Sequence, residues 1–511
     1  MTIYNVQHRD NRKTSGVIIG SAVGDALGAP FEFGPPDQYT SKFPHPVLTG
    51  HGEMIGGGTF GWDPGQFTDD TEMAIILGRN IVKHIDNIDN LDNYDAFLED
   101  TFRHFKAWAE RATDVGGTTS AALSGDDWRT GAKNAHERNG FSASNGCVMR
   151  IAPVGVLAST MPKTKAFEIA VLQARLTHWD PVAACCAAIA SEVIANGIVG
   201  TYHNVSDYIQ TATASALSVA DEFLRSGEHG QNWFDGFDRD DVAQQLEQLR
   251  NFQPDAHTPR NGTALICLGQ ALWAVAGSSS FEDALIRTIN LGYDTDTVAA
   301  VAGAIAGAFY GADMIPARWQ GAINGDYLDI EFHSIIDGQP MSVIWDLDRL
   351  QELAWQINNH SQDELSYSFM EPAVGPTEVA PNLFAANLPA VLDTDLKDFS
   401  LVTLCRPMAA EMSDCKERNY FYMIDRVHAN PNLHHVLEEA IRTINVLLDN
   451  GRKVIVHCHA GRSRTGFVLK AWYMRQHSAT HDEAHQWLSA IWPTYDPDGN
   501  DDFSTLLDTY R

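Results

Sequence analysis

Nowhere in the 511 residues is there a run of about 18 uncharged apolar residues, so no membrane-spanning helix is expected. The opening stretch, MTIYNVQHRDNRKTSG, is polar and lacks the apolar segment of a secretory signal. Cysteine is sparse: seven residues, an odd number, irregularly spaced and without a CxxC pair. That pattern argues against a disulfide framework and for a reducing cytoplasm, where a lone thiol can act as a nucleophile. Basic residues are also few, 36 against 66 acidic ones, which leaves a net charge of −30. A field of that sign repels nucleic-acid backbones and anionic membrane surfaces unless a local basic patch overrides it. It also leaves carboxylates available to gather around metal cations. No internal repeat and no low-complexity tract is visible.

What is present is ample core material, 44% apolar residues and 12 Trp. The chain exceeds the size at which one core stops growing, about 250–300 residues, so at least two domains are expected. From about Ser15 to about Ala354 the pattern is predominantly helical. Ala-rich stretches such as Asp180–Asn196 and Val298–Gly311 favour helix, and their small residues permit close helix approach. Asp180 before Pro181 has the form of an N-cap followed by proline at the first helical position. Gly- and Asn-rich turns at 50–65, 116–125 and 139–146 separate these helices. Residues 361–380, with two prolines, a third just beyond at Pro381, and little periodicity, read as a linker. Beyond it, candidate strands Leu401–Leu404 and Val454–His457 alternate with helices at His434–Leu448 and Thr465–Gln476, predicting a βα sheet domain. The expected division is a helical domain over 1–360, the linker, and an α/β domain over 381–511.

Two acidic clusters lie far apart: FTDDTEMA (67–74), with Thr68, Asp69 and Asp70, and GYDTDT (292–297), with Asp294, Asp296 and Thr297. Each precedes helical sequence and is readable either as a helix N-cap or as a set of oxygen ligands for a hard cation. Together with GVIIGSAVGDALGAPFEF (16–33), SNGCVMRIAPVG (144–155) and LTHWDP (176–181), these motifs in this order resemble the ADP-ribosylglycohydrolase family over roughly residues 15–355. The resemblance implies a compact all-α domain with two Mg²⁺ or Mn²⁺ ions in a cleft, held by Thr68, Asp69, Asp70, Asp294, Asp296 and Thr297. Two close divalent ions can clamp ribose hydroxyls, polarise the glycosidic centre and hold a water. By the same resemblance Glu32 is a gate carboxylate beside the metals, the alternative being an exposed loop acid; Asp25 reads as a structural residue that caps the turn between Gly24 and Gly28. Ser144, Asn145 and Gly146 face the diphosphate, His178 the ribose or diphosphate, and Asp114 the leaving group. His178 and Asp114 are each readable instead as structural residues.

Near the C-terminus GRKVIVHCHAGRSRT (451–465) runs from a β-branched strand through a Gly/Ser/Arg loop into a helix, with Cys458 and Arg464 in CX5R spacing. Backbone N–H groups and a helix N-terminus can lower a thiol pKa and cradle phosphate oxygens, and arginine adds a planar clamp. That is a recipe for a phosphocysteine intermediate, with His459, Ala460, Gly461, Arg462 and Ser463 lining the phosphate and Thr465 assisting the thiolate. The segment resembles the dual-specificity branch of the protein tyrosine phosphatases, over about residues 379–511. The general acid is either Asp425, with the weak preference, or His428, both in YFYMIDRVHANPNL (420–433). The acidic stretch DPDGNDD (496–502) reads as a solvated loop.

The leading expectation is therefore a bifunctional hydrolase. One half cleaves an α-glycosidic bond at C1″ of ADP-ribose on a modified protein or small molecule. The other hydrolyses a phosphomonoester, on a phosphorylated ADP-ribose or nucleotide. A co-regulated tyrosine phosphatase and a non-catalytic ADP-ribose-binding module are the alternatives. The charge argues against membrane or nucleic-acid partners, leaving open an ADP-ribosylated nucleic-acid end.

Overall fold

The computed structural model describes residues 11–510, apart from 87, 89–93, 202–203, 227–235, 256–260, 329–334, 337–338, 341, 363–371, 407–411, 413, 493 and 496–499. A helical N-terminal domain precedes a C-terminal α/β domain, each around its own hydrophobic core.

At the centre of the helical domain, α1 (Asn11–Gly28) lies along a helix near the domain's C-terminal end, Thr295–Tyr310. Gly16, Gly20, Gly24 and Gly28 recur every four residues and so share one face of α1. A Cβ added at Gly24 would lie 2.0 Å from the carbonyl oxygen of Ala299, and one at Gly20 would lie 2.4 Å from that of Gly303. The two backbones touch, which only glycine allows. This seam brings the C-terminal end of α1 beside the N-terminus of the Thr295–Tyr310 helix. Between these two in sequence, α2 (Asp69–Lys83) and α3 (Pro181–Val199) complete the scaffold, with Thr295–Tyr310 as α4. Asp180 caps α3 as expected, its Oδ1 accepting from Val182 N at 2.8 Å. By length and hydropathy alone α3 could cross a membrane, but 89% of its apolar window is buried in the protein, and Glu192 interrupts the run. It is a core helix.

Among the described residues the C-terminal sheet has five strands, β1 (Thr377–Ala380), β2 (Leu383–Asn387), β3 (Phe399–Thr403), β4 (Glu417–Tyr420) and β5 (Lys453–Cys458), in spatial order β1-β2-β5-β3-β4. Only β1 runs antiparallel to its neighbour. β1 starts inside the stretch expected to be linker, because its four residues are too short a run to show alternation. Part of that stretch, 363–371, lies outside the described residues. The loop expected over 496–502 is also corrected in part. Asn500 accepts from Asp502 N at 3.1 Å and starts a helix, Asp501–Thr509, whereas 496–499 lie outside the described residues.

The two domains are in close contact. A short helix, α5 (Ala317–Ala322), lies on edge strand β4: a Cβ at Gly321 would meet Arg418 O at 1.7 Å, and the Arg418 guanidinium donates back to Gly321 O at 3.1 and 3.2 Å. From α6 (Leu347–Asn359), Gln351 donates to the Tyr420 hydroxyl at 2.9 Å, and Asp348 pairs with Arg406 at 2.6 Å. Tyr420 belongs to the helical core cluster and Ala317 to the α/β one.

Candidate functional site

In the helical domain the two acidic motifs meet. Thr68 is the N-cap of α2, and Asp69 and Asp70 form its first turn; Asp294 is the N-cap of α4, followed by Asp296 and Thr297. Thr297 Oγ1 donates to Asp70 Oδ1 at 3.3 Å, joining residues 227 apart in sequence. Glu32, Asp294 and Asp296 each place a carboxylate oxygen within 4.8 Å of the others. Glu32 is thus drawn into the cluster rather than left on an exposed loop. Its own loop is pinned to the Asp294 loop, Phe33 N donating to Tyr293 O and Tyr293 N to Gly34 O at 2.8 Å.

Asp25 has a different role from the one expected. It lies inside α1, fully buried, and accepts from Thr68 N at 3.0 Å, Thr71 N at 3.1 Å and Thr71 Oγ1 at 2.6 Å. It caps α2 across the helix interface instead of the turn between Gly24 and Gly28, because α1 continues unbroken to Gly28.

So many carboxylates in one cavity raise each other's proton affinity. Burial, and then the charges of Asp294, Asp114 and Asp25, push Glu32 up to about 8. Burial and the neighbouring acids hold Asp69, Asp70 and Asp296 well above the carboxylate range, and burial raises Asp25 to about 6. Asp114, half-buried, is also raised, first by burial and then by the charge of Asp294. Asp70 Oδ2 and Glu32 Oε2 are buried without a hydrogen-bond partner among the described residues. Orphaned carboxylate oxygens in an all-oxygen cluster fit a hard divalent cation.

Beside the cluster stands the 144–146 turn. Asn145 Nδ2 donates to Asp294 Oδ2 at 2.9 Å and to Asn261 O at 3.1 Å. Asn261, which sequence reasoning missed, is buried and donates to Gly292 O at 3.0 Å, steadying the Asp294 loop; its only signal is an Asn-Gly turn pair in RNGTAL. A Cβ at Gly146 would lie 3.1 Å from His178 Cε1, so this turn rests on the histidine. His178 itself is 0% exposed, and Thr177 and Ser144 hydroxyls engage both ring nitrogens at 2.8 Å. With both ring nitrogens engaged by protein hydroxyls it supports the turn, which fits the structural alternative rather than the ligand contact that the resemblance implies.

The C-terminal domain holds a second site. Central strand β5 ends at Cys458, and α7 (Ser463–His477) starts at the end of the loop formed by His459, Ala460, Gly461 and Arg462. Gly461 takes φ 70° and its carbonyl accepts from Trp492 Nε1 at 2.7 Å, while Leu388 N holds His459 O at 3.2 Å. Arg464 Nη1 donates to Leu404 O at 2.8 Å and Met423 O at 3.2 Å, and its Nε lies 3.8 Å from Asp425 Oδ2. Ser463 Oγ donates to the same Asp425 oxygen. Asp425 therefore sits at the loop. His428 does not: its side chain is 89% exposed and pairs with Asp502 at 3.4 Å. Thr465 Oγ1 is buried without a hydrogen-bond partner among the described residues. Behind the loop, burial and the Arg464 charge lower His457 to about 3, leaving a neutral ring whose Nε2 meets Thr403 Oγ1 at 2.9 Å.

The family model for ADP-ribosylglycohydrolase matches residues 7–351, and that for the dual specificity phosphatase catalytic domain matches 391–503. An ADP-ribosylarginine hydrolase Tri1 of Pseudomonas putida (strain GB-1) is 29% identical over 312 residues, 60% of this chain and 73% of that protein. The ADP-ribosyl-[dinitrogen reductase] glycohydrolase of Rhodospirillum rubrum is 29% identical over 308 residues, 60% of this chain and 87% of its own length. A solved structure described as an ADP-ribosylglycohydrolase-related protein complex aligns with a TM-score of 0.47 at 24% identity, covering 69% of this chain and 99% of that one. With its two motif sets gathered into two sites, the chain belongs to the ADP-ribosylglycohydrolase family and carries a dual specificity phosphatase domain behind it.

Proposed function

We propose that the chain is a bifunctional hydrolase of a reducing cytoplasm that cleaves the α-glycosidic bond at C1″ of ADP-ribose and hydrolyses a phosphomonoester through Cys458. The observation that carries the first activity is the meeting of Asp70 and Thr297 beside Glu32, Asp294 and Asp296. Thr68, Asp69, Asp70, Asp294, Asp296 and Thr297 would hold two divalent ions, Mg²⁺ or Mn²⁺. Such ions supply Lewis acidity toward ribose oxygens and the glycosidic centre. The chain's own groups do the rest. Asn145 fixes Asp294, Asp25 holds the start of α2, and Glu32 closes the cluster from the opposite loop. Ser144, Asn145 and Gly146 receive the diphosphate, and Asp114 stands at the leaving group. The likeness to proteins named for ADP-ribosylarginine supports an arginine linkage on a protein or small molecule.

In the second site Cys458 attacks phosphorus and forms a phosphocysteine, while Asp425 passes its proton to the departing oxygen. Arg464 clamps two phosphate oxygens and the loop from His459 to Ser463 supplies backbone N–H donors; water, giving its proton to the Asp425 carboxylate, then attacks phosphorus and breaks the P–S bond, and Thr465 hydrogen-bonds the departing thiolate. A phosphorylated ADP-ribose would link the two halves chemically. Product analysis on the full chain tests this with ADP-ribosyl-arginine, ADP-ribosyl-serine and ADP-ribose-1″-phosphate. Asp296→Ala should abolish glycosidic cleavage only, and Cys458→Ser phosphate release only. Wild-type protein inert toward every ADP-ribosyl linkage would sink the hydrolase reading; no phosphate from ADP-ribose-1″-phosphate would sink the link.

A further inference from the structure

Behind the 144–146 turn runs a buried chain of four polar residues that ends on a cationic one. Arg150, 0% exposed, donates through Nη2 to Thr177 Oγ1 at 2.9 Å; Thr177 Oγ1 lies 2.8 Å from His178 Nδ1; His178 Nε2 lies 2.8 Å from Ser144 Oγ. Thr177 and His178 are also fully buried, whereas Ser144 is half-buried and is followed by Asn145, which touches Asp294. Arginine can only donate, so Thr177 Oγ1 accepts in the first bond.

Two arrangements of protons are conceivable. In the first, Thr177 donates to Nδ1, the ring carries its proton on Nε2 and donates to Ser144 Oγ, and the Ser144 proton is left over for whatever enters the site. In the second, Nδ1 carries the proton and donates to Thr177, and Ser144 donates to Nε2. The Thr177 hydroxyl, with arginine on one side and an N–H on the other, then has no acceptor. A buried donor without an acceptor costs its full desolvation, whereas the half-buried Ser144 hydroxyl can reach a ligand or water. The first arrangement wins. A doubly protonated ring is disfavoured by burial and by the Arg150 charge, both of which lower its proton affinity.

We infer that Arg150, Thr177 and His178 are positioning residues that lock the His178 tautomer and so make Ser144 an obligate hydrogen-bond donor, selecting an acceptor oxygen of the ligand at that point. The inference rests on the reading that the 144–146 turn receives ADP-ribose, whose diphosphate presents such oxygens. It gives a role to a guanidinium buried with no carboxylate partner among the described residues: besides Thr177, it donates to Gln173 Oε1 and O at 2.9 Å and to the Met73 sulfur at 3.9 Å, and it lies 4.7 Å from the centre of the Phe105 ring. It also explains a neutral histidine out of ligand reach beneath a binding turn.

The full chain, labelled with ¹⁵N-histidine, reports the tautomer without any ligand. A pyridine-like shift at His178 Nδ1 and a pyrrole-like one at Nε2 are expected. Thr177→Val removes the donor but leaves Arg150 its two Gln173 acceptors; the ring should switch to the Nδ1–H form, and ADP-ribose should bind about tenfold more weakly. Thr177→Ser should restore both. Ser144→Ala should lose as much as Thr177→Val, and the double variant no more than either. An Nδ1–H ring in the wild type, or unchanged affinity in Thr177→Val, overturns the inference. A wild type that shows the expected tautomer yet binds no ADP-ribose counts instead against the hydrolase reading.

Discussion

Asp425 and His428 lie on one loop but have different partners, Asp425 with Ser463 and Arg464, His428 with Asp502. An acid can donate only to an atom it can reach, so the two are separable by substitution. Asp425→Asn should lower kcat on a phosphomonoester by about 10²–10⁴-fold, and His428→Ala should leave it nearly unchanged. Steady-state rates for the two variants check this, and a deficit confined to His428→Ala would reverse the assignment. His457 makes a prediction about stability. Its folded pKa, about 3, is depressed below the unfolded value of 6.5. The unfolded chain therefore binds the extra proton first. The contribution of the neutral ring is complete above about pH 6.5 and is lost as pH falls toward 3, at a slope of at most about 1.4 kcal/mol per pH unit. Denaturant melts of wild type and His457→Gln across that window should show a steeper acid loss in the wild type.

Helix packing decides how closely the two acidic motifs approach. The α1–α4 seam leaves no room for a methyl group at Gly24, with Ala299 O 2.0 Å from the position of a Cβ. Gly24→Ala should force the helices apart and cost about 3 kcal/mol or more, despite alanine's better helix propensity. Thermal melts would show it, and retained divalent-ion stabilisation in that variant would count against the seam as the support of the cluster. The same seam was partly legible in the sequence, since GVIIGSAVGDALG and VAAVAGAIAGAFYG display their small residues openly. Strands β3 and β5 were legible as β-branched runs, and the helices after β4 and β5 fell within a residue or two of expectation. The role of Asp25 is not legible because the groups that donate to it lie on another helix, and no local pattern records a cap that reaches across an interface. The same blindness hid Asn261 and the buried side of His178. Which motif carried chemistry could be read along the chain, but which polar atom faced which could not.

On the scale of the molecule, the two domains share a boundary in which Gly321 meets Arg418 backbone to backbone and Arg406 is paired with Asp348. Arg464 takes its cradle from Leu404, two residues before Arg406, so the phosphate clamp is anchored in a segment the helical domain holds. Contacts this close predict one cooperative unfolding transition for the full chain. Gly321→Val, which drives a side chain into Arg418 O, should split it into two. Calorimetry of both proteins distinguishes the cases, and a wild type that already melts in two steps would show the boundary to be weak.

Strand β4 has the rest of the sheet on one side and α5 on the other. Severed from the helical half, the C-terminal segment would bare a row of unsatisfied amides and carbonyls along Glu417–Tyr420, together with the Tyr420 ring. Such a fragment has every reason to pair with its own kind or to precipitate, so silence from an excised phosphatase would speak of a missing neighbour before it spoke of missing chemistry.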